Sequence, residues 1–281
     1  EYTYTDGDGD KSQAKVTINL QDDGTPTIGE PQNPSNPGDP GYPGDPDNPD
    51  NPSNPNDPSG APGFAIGGAS VNEAGLPVRT GEPAGTDAAA DSETVTSTFK
   101  FASVDGVSEV KLGGQVLGTD ASNPTVLEDA TGKLTAYYTF ANGEGQIHYT
   151  YVLKDNTSGD NTKAEFAVSV KDNDGDRAVS KLVVSIVDDA PKAADDSFTQ
   201  TQENTPVTGS VVLNDVAGAD GAAASGPVAL VANTLTGTGS LSLSPDGTFT
   251  YTPAAGEEGV VTFEYTYTDG DGDKSQAKVT I

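Results

Sequence analysis

The sequence predicts an all-β chain: tandem β-sandwich domains joined by a polyproline II linker. Three observations predict it. Apolar and polar residues alternate with period two in short runs rich in Thr, Val, Tyr and Phe, separated by Gly, Asp and Asn turns. No segment holds a helical period beyond two turns. One tract, Pro31 to Pro58, places ten prolines at every third position, which excludes both helix and sheet.

The elements follow in chain order. "EYTYTDGDGDKSQAKVTI" opens the chain at Glu1 and closes it at Glu264, identical over eighteen residues at an offset of 263. Chance does not produce this, so residues 1–20 read as the C-terminal strands of a preceding sandwich. The chain then reads as an excerpt from an array. Residues 21–62 are a Pro/Asp/Asn-rich linker. Polyproline II has three residues per turn, so its prolines stack along one edge while Asn, Asp and Ser face water. Its twenty-eight residues from Pro31 to Pro58 extend to on the order of 85 Å. Collagen is excluded because its every-third residue is Gly, and a PxxP signalling ligand is disfavoured because the tract has no Lys or Arg.

Residues 63–189 contain "TVTSTFKFAS", "KLTAYYTF", "QIHYTYVL", "AEFAVSV" and "SKLVVSIV", with a long loop or extra strands expected within 74–92. Residues 190–281 contain seven short runs from "SFTQTQ" to "SQAKVTI". Seven strands at this spacing indicate an immunoglobulin-like or cadherin-like sandwich.

Charge is the dominant feature of the composition: 43 acidic against 14 basic residues, net −29, spread over every segment. Nucleic acid and anionic membranes are poor partners for such a surface. Like charge at this density destabilises a compact state unless cations bind, which makes a divalent metal the first partner to consider. There is no Cys, so disulfide scaffolds and thiolate metal sites are excluded. No run reaches the ~18 apolar residues of a membrane span.

Three hairpin loops repeat one pattern: Asp6, Asp8, Asp10; Asp172, Asp174, Asp176; and Asp269, Asp271, Asp273. Alternating Asp with Gly between aims several carboxylates at one centre, and Ca2+ takes six to eight oxygen ligands of this kind. The loops are not EF-hands: position six is Lys11, Arg177 or Lys274 and position twelve is Thr17, Val183 or Thr280. An ordinary Asp-Gly hairpin turn needs no ion and accounts for each loop taken alone. Around Pro191 the stretch "VDDAPKAADDS" adds Asp188, Asp189, Asp195 and Asp196. The loop joining the last two strands of such a sandwich lies at the end where the first strand enters, which puts Asp269, Asp271 and Asp273 near the joint. Glu203, Asn214, Asp215 and Asp220 are further oxygen donors. Calcium at the joint converts carboxylate repulsion into a rigid connection.

"VSIVDDAPKAADDSFTQTQENTPVTGSVVLNDVAGAD" followed by "DGTFTYTPAAGEEGVVTFEYTYTDGDGDKSQAKVTI" resembles the VCBS-type, cadherin-like repeat of giant bacterial adhesins. Residues 64–189, with "VNEAGLP" and "VKDNDGDRAVSKLVVSIVDDAP", resemble a repeat of large RTX-class type I secretion substrates. The resemblance implies a Gram-negative secreted or surface protein that is exported unfolded, folds in external calcium and extends an adhesin for attachment and biofilm formation. It departs from the family in lacking the GGxGxDxUx nonapeptide, and its "NDVAGADG" stands where the family has a fuller Asp loop.

Catalysis has little support. The single histidine, His148, lies inside an alternating strand, where surface or core filling is the ordinary role. Pro253-Ala254-Ala255-Gly256 is similar to a di-alanine cleavage site, but it also serves as a plain connection between two strands. The Thr alternation of "TFTYT" is explained by strand period without ice binding. The expected partners are neighbouring repeats of the same chain, with any host or biofilm ligand reached through other modules and the chain itself monomeric. The rival reading makes residues 63–189 a sugar- or peptide-binding module displaying Tyr137, Tyr138, Tyr149 and Tyr151.

Overall fold

A computed structural model describes residues 2–5, 11–14, 24–29 and 65–281. The proline tract, and the Asp6, Asp8 and Asp10 loop, lie outside the described residues. The first described element is a hairpin of β1 (Tyr2–Thr5) and β2 (Lys11–Ala14).

Two β-sandwiches follow. The first is built from β3 (Thr27–Gly29), β4 (Ala65–Asn72), β5 (Thr94–Ala102), β6 (Glu109–Leu112), β7 (Gln115–Val116), β8 (Thr125–Glu128), β9 (Gly132–Ala141), β10 (Glu144–Leu153), β11 (Lys163–Lys171) and β12 (Arg177–Val187). One sheet has the order β3-β5-β10-β9-β8 and the other β4-β12-β11-β6-β7. The connectivity is immunoglobulin-like, with β5, β10 and β9 facing β6, β11 and β12.

Alternation decides which side chains meet between the sheets. Phe99, Phe101, Leu134, Ile147, Tyr149, Tyr151 and Leu153 are buried on one inner face. Val110, Leu112, Val168, Val170, Leu182, Val184 and Ile186 are buried on the other. Each such side chain contributes about 1.5–3 kcal/mol by leaving water. Tyr149 and Tyr151 are therefore core residues and not an exposed binding face. Tyr138 leans on the same core, and Tyr137 points outward, stacked on His148 with ring centroids 4.6 Å apart.

β3 lies inside the 21–62 stretch that the sequence assigns to the linker. It pairs antiparallel with β5 (Thr27↔Ala102, Ile28↔Phe101, Gly29↔Lys100), and Ile28 is buried. With a single apolar residue between Pro26 and Gly29, this strand is too short to show alternation.

The second sandwich contains β13 (Asp196–Ser197), β14 (Val207–Ser210), β15 (Val228–Leu230), β16 (Ser240–Leu243), β17 (Thr248–Thr252), β18 (Thr262–Thr268) and β19 (Lys274–Thr280). Its sheets are β13-β19-β18-β15 and β14-β17-β16. Phe249 stands edge-on to both Phe198 and Phe263, with Tyr251, Tyr265, Tyr267 and Val279 completing the core. The chain leaving β12 runs parallel to β19, which carries the β18–β19 hairpin back to the first sandwich. Of the described residues, no helix is long and apolar enough to cross a membrane.

Candidate metal centre at the joint between the sandwiches

The β18–β19 hairpin closes tightly. Asp269 N–H donates to the Asp273 carbonyl at 3.1 Å, while Gly272 N–H and Asp273 N–H donate to Asp269 Oδ1 at 3.0 and 2.7 Å. Gly272 has φ +117°, a conformation that side-chain-bearing residues rarely adopt. A Cβ at Gly270 would lie 2.4 Å from the Asp220 carbonyl oxygen, so glycine there lets the 216–222 loop press onto the hairpin. The outcome is a buried Asp269 whose Oδ2 makes no hydrogen bond, grouped with Asp220 and Asp271.

The first sandwich and the connecting chain bring more acid to the same place. Glu73 opens a single 3-10 turn (Glu73–Gly75) capped by Asn72, whose Oδ1 accepts from Ala74 N–H at 2.9 Å. The Thr157 N–H and hydroxyl both donate to Glu73 Oε1 at 2.7 Å, and its Oε2 is buried without a hydrogen bond. Glu73 is grouped with Asp188 and Asp220, and Asp188 also with Asp160 and Asp273. Asp220 Oδ1 accepts from Asn156 Nδ2 at 2.5 Å, which leaves Oδ2 buried without a donor. Gly159 N–H reaches Asp271 at 3.0 Å across the joint.

In these groups five buried carboxylate oxygens are left without hydrogen bonds: Glu73 Oε2, both oxygens of Asp188, Asp220 Oδ2 and Asp269 Oδ2; among the described residues Glu93 Oε2, Asp105 Oδ2, Asp172 Oδ2 and Asp196 Oδ2 are left so too. Orphaned buried anions are costly, so burial disfavours the charged form of these groups. Burial first, then the charges of Asp220 and Asp188, push Glu73 up to about 7. Burial first, then Asp271 and Asp220, push Asp188 up to about 6. Asp269 and Asp220 are raised as well, chiefly by burial. An all-oxygen, anionic set of this kind is the donor chemistry that Ca2+ takes.

The remaining predicted ligands divide by location. Asp271 and Asp273 join the joint group with Asp269 and Asp188. Asp189 is buried beside them, but its oxygens accept from the Thr86 hydroxyl, from Thr86 N–H at 2.8 Å and from Ala219 N–H at 2.9 Å. It is a hydrogen-bonded peg between the sandwiches. Asp215 accepts from Ala194 N–H at 2.8 Å and from the Tyr265 hydroxyl at 2.9 Å, with Asp196 close by and raised to about 6 by burial and by Asp215. Asp195 accepts from Lys278 N–H at 2.8 Å. These three brace the second sandwich. Glu203 is exposed on the loop after β13. Because Ser197 pairs with Thr280, that loop lies at the end of the sandwich opposite Asp269, and Glu203 has no place at the joint.

Asp172 and Asp174 sit at the far end of the first sandwich, grouped with Asp105; Asp176 lends its carbonyl to Asp172 N–H at 3.1 Å and its own N–H to the Asp172 carboxylate.

Glu73, Asp160 and Arg79 were not visible as site residues in the sequence. Arg79 is the cation that the first sandwich brings to the joint. Its guanidinium meets Glu82 at 3.0 Å and Asp155 at 3.1 Å, and donates to Asn156 Oδ1 at 3.1 Å and to the Ala219 carbonyl at 2.8 Å. The long 74–92 loop is therefore a docking arm on the second sandwich. Its signal was only its length.

A family model for a bacterial Ig domain matches residues 188–281, the second sandwich with the two joint aspartates that precede it. No curated protein sequence matches the chain. Among solved structures, protocadherin gamma C5 EC1-3 aligns over 69% of this chain and 78% of its own, at 11% identity and a TM-score of 0.28. The human desmocollin-1 ectodomain aligns over 64% and 34%, at 16% identity and 0.25. An endo-fucoidan hydrolase of glycoside hydrolase family 107 aligns over 64% and 32%, at 12% identity and 0.25. Overlaps this loose establish neither a shared fold nor a shared function; the sandwich topology rests on the chain's own strand order.

Proposed function

We propose that the chain is a non-enzymatic extender segment of a large bacterial surface adhesin, in which calcium bound at the joint stiffens neighbouring sandwiches into a rod. The observation that carries this reading is the set of five unbonded, buried carboxylate oxygens between the two sandwiches. Glu73 and Asp160 come from the first sandwich, Asp188 from the connection, and Asp220, Asp269, Asp271 and Asp273 from the second. Asp188 and Asp220 each belong to two of these acidic groups, so cations held in them would tie three parts of the chain together.

The match to a bacterial Ig domain and the repeated eighteen residues support a modular extracellular role. The acidic surface would keep identical repeats from associating. Attachment and biofilm formation would belong to the parent protein, with its ligand met by other modules. The burial of Tyr149 and Tyr151 removes half of the aromatic set on which a sugar-binding reading of 63–189 depends.

Thermal melting of the full chain tests the proposal. Calcium in excess is expected to raise Tm by on the order of 5–10 °C over chelator, from about 2.7 kcal/mol at a hundredfold excess over Kd. Magnesium is expected to do little. Equal melting in calcium and chelator would contradict the reading.

A further inference from the structure

Residues 1–18 repeat 264–281 in sequence, and the described parts repeat in pairing. Tyr2↔Ala14, Thr3↔Gln13, Tyr4↔Ser12 and Thr5↔Lys11 reproduce Tyr265↔Ala277, Thr266↔Gln276, Tyr267↔Ser275 and Thr268↔Lys274. The opening hairpin thus has the sequence and register of the last hairpin of the second sandwich. Only eight residues separate Ile18, the counterpart of Ile281, from Thr27 at the start of β3.

β3 already belongs to the first sandwich. It pairs with β5 and seats Ile28 in the core. β4, the next described element, pairs parallel with β12 in the opposite sheet of that sandwich, from Ala65↔Lys181 to Asn72↔Val187. β3 runs from the Ala102 end of β5 toward its Thr94 end, and β4 runs toward the Val187 end of β12. Both therefore head for the joint, as two halves of one first strand that changes sheets midway. Crossing between facing sheets takes about 10 Å, which a few residues cover. Here the crossing is made by residues 30–64, including all ten prolines of the tract.

We infer that the proline tract is an insertion within the first strand of the first sandwich, and not a spacer between sandwiches. Both of its ends are anchored on one domain, so it adds no length along the row of sandwiches. A sandwich ending in the opening hairpin would then be joined to the first by residues 19–26. The cost of so long a crossing is small, because closure entropy grows only as the logarithm of loop length. This inference is independent of the calcium reading, since it rests on strand pairing at the other end of the sandwich.

The test uses the full chain, which has no native cysteine to remove. Thr27→Cys and Ser70→Cys, both exposed positions, carry spin labels for pulsed dipolar spectroscopy, with and without deletion of residues 31–58. The inference predicts one narrow distance of roughly 20–35 Å, as expected within a single sandwich, unchanged by the deletion. A long, broad distribution in the full chain, or one that shortens when the tract is removed, would overturn it. If the shortened chain fails to fold, the full-length distance alone decides.

Discussion

The hairpins at 172–176 and 269–273 share one backbone and differ in their company. In each, the first Asp is buried and donates its N–H to the carbonyl of the last Asp at 3.1 Å. The glycines Gly175 and Gly272 have φ of +116° and +117°. The second residue separates them. Gly270 lets Asp220 approach, whereas Asn173 reaches out and donates to the Asp105 carbonyl at 2.6 Å. Asp172 stands with Asp105 and Asp174, and Asp269 with Asp220 and Asp271; only the second group is extended, through Asp220 to Glu73 and Asp188 and through Asp188 to Asp160 and Asp273. Burial works to raise Asp172, but hydrogen bonds with Asp174 and the N–H groups of Gly175 and Asp176 bring it below its usual value; Asp269 is raised. The lesson is that an Asp-Gly hairpin supplies a turn and some oxygens, and the opposing surface decides how many further carboxylates gather around it.

Breaking the comparison at the joint has the largest expected effect. Asp269→Asn removes a charged ligand and is expected to abolish most of the calcium-dependent rise in Tm. Asp172→Asn is expected to keep most of that rise, as read by differential scanning calorimetry in calcium and in chelator. Equal losses from the two variants would mean the opposing surface does not matter.

The next effect is the pH dependence of the metal-free chain. Glu73 at about 7 and Asp188 at about 6 lie above their ordinary values, so the folded state holds protons that the unfolded state releases. Their contribution is complete below about pH 4 and lost as pH rises through 6 to 7. In chelator the Tm is expected to be several degrees higher at pH 5 than at pH 8; excess calcium is expected to reverse the order. A Tm in chelator that rises from pH 5 to 8 would contradict the assignment.

Arg79→Ala should be smaller and independent of metal. Losing the guanidinium's contacts to Asp155, Asn156 and Ala219 is expected to cost about 1–3 kcal/mol. Hydrogen exchange should show the 74–92 loop less protected, with the calcium-dependent gain in Tm retained. Smallest of all is the difference between Gly175→Ala and Gly272→Ala in chelator. The shared backbone predicts equal losses of about 1–3 kcal/mol in chemical denaturation.

Much of the fold was legible because it is written locally. Strict alternation marks "QIHYTYVL" and "SKLVVSIV" as strands, and β10 and β12 are where it puts them. "SFTQTQ" has the same alternation, yet only Asp196–Ser197 pairs. β3 carries a single apolar residue and is recognisable only once β5 is there to receive it.

The site divides the same way. The Asp269 hairpin announces itself in five consecutive residues. Glu73 and Arg79 reach the joint through partners some 80 to 140 residues away, Thr157 and Ala219, and no local pattern encodes such pairings. Asp215 and Asp220 look alike in "NDVAGAD", but one turns to Tyr265 and the other to the joint. Glu203 follows the joint aspartates closely in sequence, but the chain runs along β19 and carries it to the far end.

The most direct measurement places spin labels at Val179→Cys in the first sandwich and Gln276→Cys in the second and records their separation with and without calcium. A cation clamping the five carboxylate oxygens should give a distribution that narrows on adding calcium and broadens again in chelator, with Asp269→Asn unresponsive. Identical distributions in both conditions would contradict the clamp and leave the sandwiches joined by hydrogen bonds such as those of Arg79, Asn156, Gly159 and Asp189.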